Sequence, residues 1–346
     1  MNYLFSRTDR VGDLIVSSIL LKSIKRNNSK NKIYIICSEY NSSLAKKLSF
    51  IDRVFIFKKG LFSKLKLLIK INFLKIDYMF ILDGKDRSIL FSFFVLAKKK
   101  LYILNKKKFS FFLSKSKENL IFDDELKDNK INTIQRIQKK IKINFSDDDT
   151  NIFKGENFLN VSNKDNLNAF NDVQYNLLHY DEKWIKELYI KSYKNIELDS
   201  SEINYFINSI VKKSNMDLVV TSGKYSTESL NNLKSTMIHQ GNKIYIKKIN
   251  NCNLYYVEQP DFFELIELIR KSKICITCHG AATHVSSSFN IKTIDVVDNS
   301  KILLYRAYTA HLKKYNEVIR TNPILTRNKI LSLLWYKYKI IYLIVI

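Results

Sequence analysis

Short β-rich runs, separated by segments of helical period, constrain this 346-residue chain more than any other feature. NYLFS (2–6), KIYIIC (32–37), RVFIF (53–57), DYMFILD (77–83) and KLYIL (100–104) alternate with helical patterns over 13–27, 41–49, 61–75 and 87–97. Strands and helices in that alternation imply right-handed βαβ crossovers and a parallel sheet. A second series follows: DLVVTS (217–222), KIYIKKI (243–249), LYYVE (254–258), KICITC (273–278) and TIDVV (293–297). Helical patterns at 181–193, 200–214, 226–238, 261–271 and 281–289 accompany it. The prediction is an α/β chain with two Rossmann-like units in tandem. Between them, from about 106 to 175, the pattern weakens into basic and then acidic, Asn-rich sequence, with one helix expected over 130–145. The expected division is 1–165, 166–325 and a C-terminal helix over 326–346.

Charge says something about partners. Lys and Arg number 58 against 33 Asp and Glu, a net +25. Such a balance suits an anionic partner, a phosphorylated glycolipid or a membrane surface, as well as a plain solvated lysine surface. Nucleic acid is not expected, because no RNA-binding motif appears and the aromatic residues fall in core-like runs. MNYLFSR lacks a basic segment followed by a long apolar stretch, and four cysteines without a scaffold spacing fit a reducing compartment. The expectation is a cytoplasmic protein, peripherally associated with the inner face of the membrane. The last 17 residues, ILSLLWYKYKIIYLIVI, carry Lys337 and Lys339 in their middle, which suits a packed-back or interfacial helix better than a membrane span. CITCH (275–279) matches a haem-attachment spacing, but its cysteines lie in an apolar run that reads as a buried strand. No metal site is expected.

Open α/β sheets bind ligands beyond the C-terminal ends of their strands. Three such places stand out. The first is RVGD (10–13), where Gly12 is expected to turn the backbone and Asp13 to stand at a helix N-terminus, either as a cap or as a catalyst. The second is TSGK, with the hydroxyls of Thr221 and Ser222, the open backbone of Gly223 and the charge of Lys224. The third is HGAATH, where His279, Gly280, Ala281, Ala282 and His284 open a helix whose N–H groups favour a phosphate. Neither of the last two is a Walker P-loop. Together they suggest a nucleotide-diphosphate site. Arg7, Arg10, Lys85 and Arg87 should rim the first unit.

These residues carry a resemblance. RVGDLIVSSILLKSIKRN, IDRVFIF and DYMFILDGKDRSILFSFF resemble the opening of the lipopolysaccharide heptosyltransferases, glycosyltransferase family 9. ELIELIRKSKICITCHGAATHVSSSFNIKTIDV resembles that family's long C-terminal signature. The likeness covers 1–105 and 215–298. It implies a GT-B fold, two Rossmann-like domains facing across a cleft, with acceptor on the first and donor on the second. It also implies an inverting, metal-independent transfer of a heptose or related sugar from a nucleotide-sugar co-substrate, ADP-heptose among the candidates, to a lipopolysaccharide-core or similar glycan, with no cofactor and with Arg7, Arg10, Lys85 and Arg87 as contacts for an acidic acceptor. The family pattern makes Asp13 the base; Asp9, four residues earlier, is the rival. Two departures stand out: His279 replaces an aspartate that contacts the donor sugar, and Ala282 replaces a proline. A catalytically degenerate GT-B protein, binding glycan or membrane without turnover, is the alternative.

Overall fold

A computed structural model of the chain describes residues 1–105, 120–123, 130–158, 167–185 and 193–334. The Lys106-Lys107-Lys108 run, the expected boundary at 165, the second half of the 181–193 helix and the terminal segment beyond 334 lie outside the described residues. The chain divides into two compact units, Met1–Asn157 with Arg306–His311, and Phe158–Tyr305 with the remainder. The division therefore falls before 165, and a short late segment returns to the first unit.

Unit 1 is a six-stranded sheet in the order β3-β2-β1-β4-β5-β6. Its strands are β1 (Asn2–Arg7), β2 (Lys32–Cys37), β3 (Arg53–Ile56), β4 (Ile76–Ile81), β5 (Ala97–Asn105) and β6 (Leu120–Asp123), all parallel. Helices α1 (Val11–Asn27), α2 (Glu39–Lys47), α3 (Leu61–Asn72), α4 (Asp86–Phe94) and α5 (Lys130–Lys140) make the crossovers and cover the sheet. The runs near-continuous in apolar residues are the central strands, buried on both faces as parallel strands are. Phe5 of β1 stacks on its register partner Phe80 of β4, with ring centroids 4.8 Å apart.

Unit 2 is an eight-stranded sheet in the order β14-β13-β12-β7-β8-β11-β10-β9. The strands are β7 (Tyr175–Tyr180), β8 (Asp217–Ser222), β9 (Ile238–Gly241), β10 (Ile244–Ile249), β11 (Cys252–Val257), β12 (Ile274–Cys278), β13 (Lys292–Val297) and β14 (Tyr315–Ile319). Only the β9–β10 and β10–β11 pairings are antiparallel. Its helices are α6 (Ser200–Ser214), α7 (Glu228–Ser235), α8 (Phe262–Lys271), α9 (Ala281–Ser288), α10 (Ile302–Thr309) and α11 (Pro323–Leu333), with the end of α10 counted in unit 1. DLVVTS is thus the second strand of this unit, not the first. The described part of the expected 181–193 helix is a single 3-10 turn, Glu182–Trp184.

Both sheets start in the middle. β1 sends β2 and β3 to one side and β4 to the other, and β7 does the same with β8 and β12. Such a reversal leaves a crevice beyond the carboxyl ends of the two strands that flank it. The Phe5–Phe80 stack braces the first of these crevices from below. Phe80→Ala should cost about 3–5 kcal/mol, the usual range for a buried phenylalanine. Hydrogen exchange resolved by segment should show the loss of protection in unit 1 and leave β7, β8 and β12 as in the parent protein.

Candidate functional site

In unit 1 the loops that leave β1 and β4 meet at the reversal point. Thr8 donates through its backbone N–H (3.1 Å) and its hydroxyl (2.7 Å) to Oδ2 of Asp83, and Ser88 donates to the same oxygen (2.7 Å). Gly84 follows at φ +56°, and a Cβ there would stand 3.1 Å from the Ile103 carbonyl oxygen. The glycine that turns the chain at this site is therefore Gly84. Gly12, expected to be that turn, is the second residue of α1 and is helical. Arg10 is the N-cap of α1, and its side chain makes no capping bond. Asp13 is accordingly a first-turn residue and not the cap.

Arg7 organises the acids. Its buried side chain donates to the Leu82 carbonyl and lies 3.2 Å from Asp9 Oδ1 and 3.4 Å from Asp13 Oδ1. Burial works against its charge, but Asp9 and Asp13 outweigh it and hold the guanidinium pKa above its usual value. Tyr308, returned to this unit by α10, donates its hydroxyl to Asp13, and burial pushes its phenol upward. Burial also drives the Asp9 carboxyl up to about 6, against the pull of Arg7 and with the help of Asp13 and Asp83. These side chains wall a cavity of about 250 Å³, closed on its apolar side by Val16, Leu20, Ile134 and Ile137. Arg7, expected as an acceptor contact, is instead engaged in fixing the carboxylates. Arg87 donates to the Thr8 hydroxyl (3.0 Å) and braces the same loop. Lys85 and Arg10 stand at the N-cap positions of α4 and α1.

In unit 2 the reversal point lies between β7 and β12. Asp181 caps the turn after β7, and Trp184 pins that turn from within. The indole is buried, donates to the His179 carbonyl (3.1 Å) and stacks on Tyr180 at 4.7 Å. Lys183 is thereby held across the head of α9, its Nζ 2.5 Å from Asp181 Oδ2. A Cβ on Gly280 would come within 2.9 Å of that Nζ, so glycine is what lets the ammonium lie there. Burial raises the Asp181 pKa, but Lys183 and His179 prevail and keep it below the usual carboxylate range.

The predicted donor residues divide into two groups. At β12, His279 directs Nδ1 to Asp295 Oδ2 (2.7 Å), and the same buried carboxylate accepts from Thr283 (3.0 Å) and Tyr315 (2.9 Å). The Gly280 N–H is taken by the Thr283 hydroxyl (3.2 Å). Ala281 and Ala282 supply first-turn N–H groups of the kind a helix leaves without internal acceptors. His284 is buried and meets His279 edge-on at 5.6 Å. At β8 the expectation needs correction. The Thr221 hydroxyl lies 2.8 Å from His179 Nδ1, and the Ser222 hydroxyl accepts from the Gln259 N–H (2.8 Å). Both point into the structure. Gly223 packs against the 181–182 turn, where a Cβ would overlap Glu182, and the Lys224 N–H donates to Glu182 (3.1 Å). Only the exposed Lys224 side chain could meet a ligand. Sequence reasoning missed Asp83, Lys183, Asp295 and Tyr308. Cys275 and Cys278 are buried in β12, with burial pushing the Cys275 thiol up to about 12, which fits core packing. Among the described residues no group of three His, Cys, Asp or Glu side chains is arranged to hold a metal.

The raised Asp9 pKa fixes a sign. An ordinary aspartate, near 3.8, binds its proton less tightly than the folded site does, so the native state holds more protons between about pH 4 and 6. Stability of unit 1 should fall as pH rises through that window, by up to about 3 kcal/mol for a shift of this size. Asp9→Asn should flatten the dependence and match or exceed the parent stability at pH 7. Unfolding followed at pH 4, 5, 6 and 7 tests this; a difference between variant and parent that stays constant over the series would give Asp9 an ordinary pKa.

No family model and no curated protein matches the chain. Solved structures do. The chain is similar to the glycosyl transferase family 9 protein from Veillonella parvula DSM 2008 at TM-score 0.66 and 11% identity, over 96% of this chain and 88% of that one. It is similar to E. coli ADP-heptose lps heptosyltransferase II at TM-score 0.65 and 11% identity, over 96% and 98%. E. coli heptosyltransferase WaaC with ADP gives 0.66 and 9%, over 96% and 99%. At such identity the likeness is one of fold: two Rossmann-like α/β units, the GT-B class, in the form seen in family 9 heptosyltransferases.

Proposed function

We propose that this chain is an inverting, metal-independent glycosyltransferase. It would move a heptose or related sugar from a nucleotide-diphosphate donor, ADP-heptose foremost, to a lipopolysaccharide-core or similar anionic glycan at the inner face of the cytoplasmic membrane. The observation that carries the reading is Asp13, a first-turn carboxylate in the wall of a cavity, positioned by Arg7 and Tyr308. In the proposed reaction an Asp13 oxygen takes the proton of the acceptor hydroxyl as that oxygen bonds to the anomeric carbon. The sugar–phosphate bond breaks, its electron pair leaves with the nucleoside diphosphate, and the configuration inverts in one step. Lys183 and the N–H groups of Ala281 and Ala282 would neutralise the leaving diphosphate. The names of the structural relatives, ADP-heptose and ADP among them, support a nucleotide-sugar donor. Arg10 and Lys85 suit an acidic acceptor.

A second reading, a degenerate GT-B protein that binds without turnover, is favoured by the inward-turned hydroxyls of Thr221 and Ser222. Calorimetry with ADP-sugars separates the two, since donor binding followed by transfer belongs only to the enzyme.

Asp13→Asn should lower turnover by about 10²–10⁴-fold, the usual contribution of a positioned base. Its melting temperature and donor affinity should stay near those of the parent. Asp9→Asn should transfer nearly as well as the parent; the reverse outcome, with both variants folded, would make Asp9 the base.

Lys183→Ala should weaken donor binding by about 1.5–3 kcal/mol, the range for a charge-assisted bond. Gly280→Val should do the same by displacing the Lys183 ammonium. Lys224→Ala, removing an exposed charge, should cost under about 1 kcal/mol. Titration calorimetry of the three variants orders them, and equal losses at 183 and 224 would return the diphosphate to the β8 turn.

A further inference from the structure

Helix α3 is apolar on two opposite faces. Leu67 and Ile71 enter the core of unit 1 beside Met79, Ile81 and Phe91. Phe62, Leu65, Ile69 and Phe73, three and four residues apart, form a stripe on the other side. All four are exposed, Phe62 by 87% and Phe73 by 81%. Lys66 and Lys70 flank the stripe and are exposed as well. Helix α4 continues it with exposed Leu90, Phe93 and Phe94. The ends of the two helices are tied together, since Asn72 donates to the Phe94 carbonyl (3.2 Å) and accepts from the Leu96 N–H (2.8 Å). From Arg53 to Ile76 the sequence holds Lys58, Lys59, Lys64, Lys66, Lys70 and Lys75 and no acidic residue.

Isolated apolar side chains are ordinary on a surface, but a contiguous exposed patch rimmed by charge marks an interaction site. The sign and placement of the charge choose the occupant. Aromatic and aliphatic side chains on one stripe can enter the boundary between headgroups and acyl chains while flanking lysines remain at phosphate level. Basic residues there gain attraction from an anionic leaflet. A second copy of the chain fits worse. A two-fold contact would set the patch on itself and bring Lys66 and Lys70 towards their own counterparts, and lysine is depleted from interface cores. No helix among the described residues is long and apolar enough to cross a membrane.

We propose that the α3–α4 face of unit 1 is a docking surface for an anionic phospholipid bilayer. This rests on the membrane-surface part of the proposed function and deepens it, by moving the contact from overall charge and the terminal segment to named side chains of α3 and α4.

Co-sedimentation with vesicles of phosphatidylethanolamine and phosphatidylglycerol tests it. The parent protein should bind them, and binding should fall about tenfold or more on phosphatidylcholine vesicles. Phe62→Asp with Phe73→Asp should lower binding to the anionic vesicles by about tenfold or more, as should Lys66→Glu with Lys70→Glu. All four side chains are exposed, so circular dichroism and melting temperature should match the parent. Unchanged vesicle binding in both double variants overturns the proposal, as does dimerisation that the Phe variants abolish without any vesicle binding. Transfer to a short water-soluble acceptor should be the same in parent and variants, so a failure of docking and a failure of the transferase reading give different results.

Discussion

A parallel sheet whose first strand lies in its interior must reverse direction once, and both units of this chain are built on that constraint. β1 and β7 are laid down first, later strands add on one side, and the chain then crosses to the other. The loops beyond the two flanking strands are pushed apart by helices on opposite faces. The residues with chemical potential sit at these two places: Asp9, Asp13 and Asp83 after β1 and β4, and Asp181, Lys183 and His279 after β7 and β12.

At the first reversal, one buried guanidinium makes the acid cluster tolerable. Carboxylates this close disfavour one another's ionised forms, and a buried charge without a partner is strongly destabilising. Arg7 meets two of them and also the Leu82 carbonyl, so its position is set by backbone as well as by charge. The outcome is unequal. Asp13 also receives the Tyr308 hydroxyl, whereas Asp9 carries the cost of burial and rises towards neutral pH. A carboxyl raised towards neutral pH suits a proton acceptor, which taken alone speaks for Asp9. Placement argues the other way, because Asp13 begins the helix wall of the cavity and is held by two groups from separate segments of the chain.

Much of this was legible in the sequence, for definite reasons. Central strands such as KIYIIC and KICITC announce themselves by unbroken apolar runs, and α8 by its Asp261–Glu264 capping box. β7 was missed because Asn176 and His179 interrupt YNLLHY, yet all six residues are buried, and His179 is satisfied by Thr221 on the neighbouring strand. β9 does not announce itself: the expected 226–238 helix meets it only at Ile238, and its exposed edge position gives IHQG no apolar alternation. Asp13 and the turn at 279–284 could be found because each follows a strand and opens a helix. Lys183 and Tyr308 could not. Their roles depend on strand order and on a late return of the chain, and local periodicity encodes neither.

At His279, where the resemblance leads to the expectation of an aspartate, the structure sets a carboxylate behind the imidazole. Asp295 stands on the adjacent strand, in register with Thr277, and its carboxylate reaches the imidazole from beneath. Thr283 and Tyr315 hold that carboxylate in place, and Tyr305 covers the imidazole ring at 4.1 Å. A buried carboxylate thus stands behind the head of α9, in contact with a ring that it orients. Binding Nδ1 in this way settles which nitrogen is left to meet a ligand. His279 therefore presents a flat ring with one directed nitrogen. In the proposed reaction that nitrogen would face the donor sugar, whereas the proposed diphosphate partners Lys183, Ala281 and Ala282 do not depend on it.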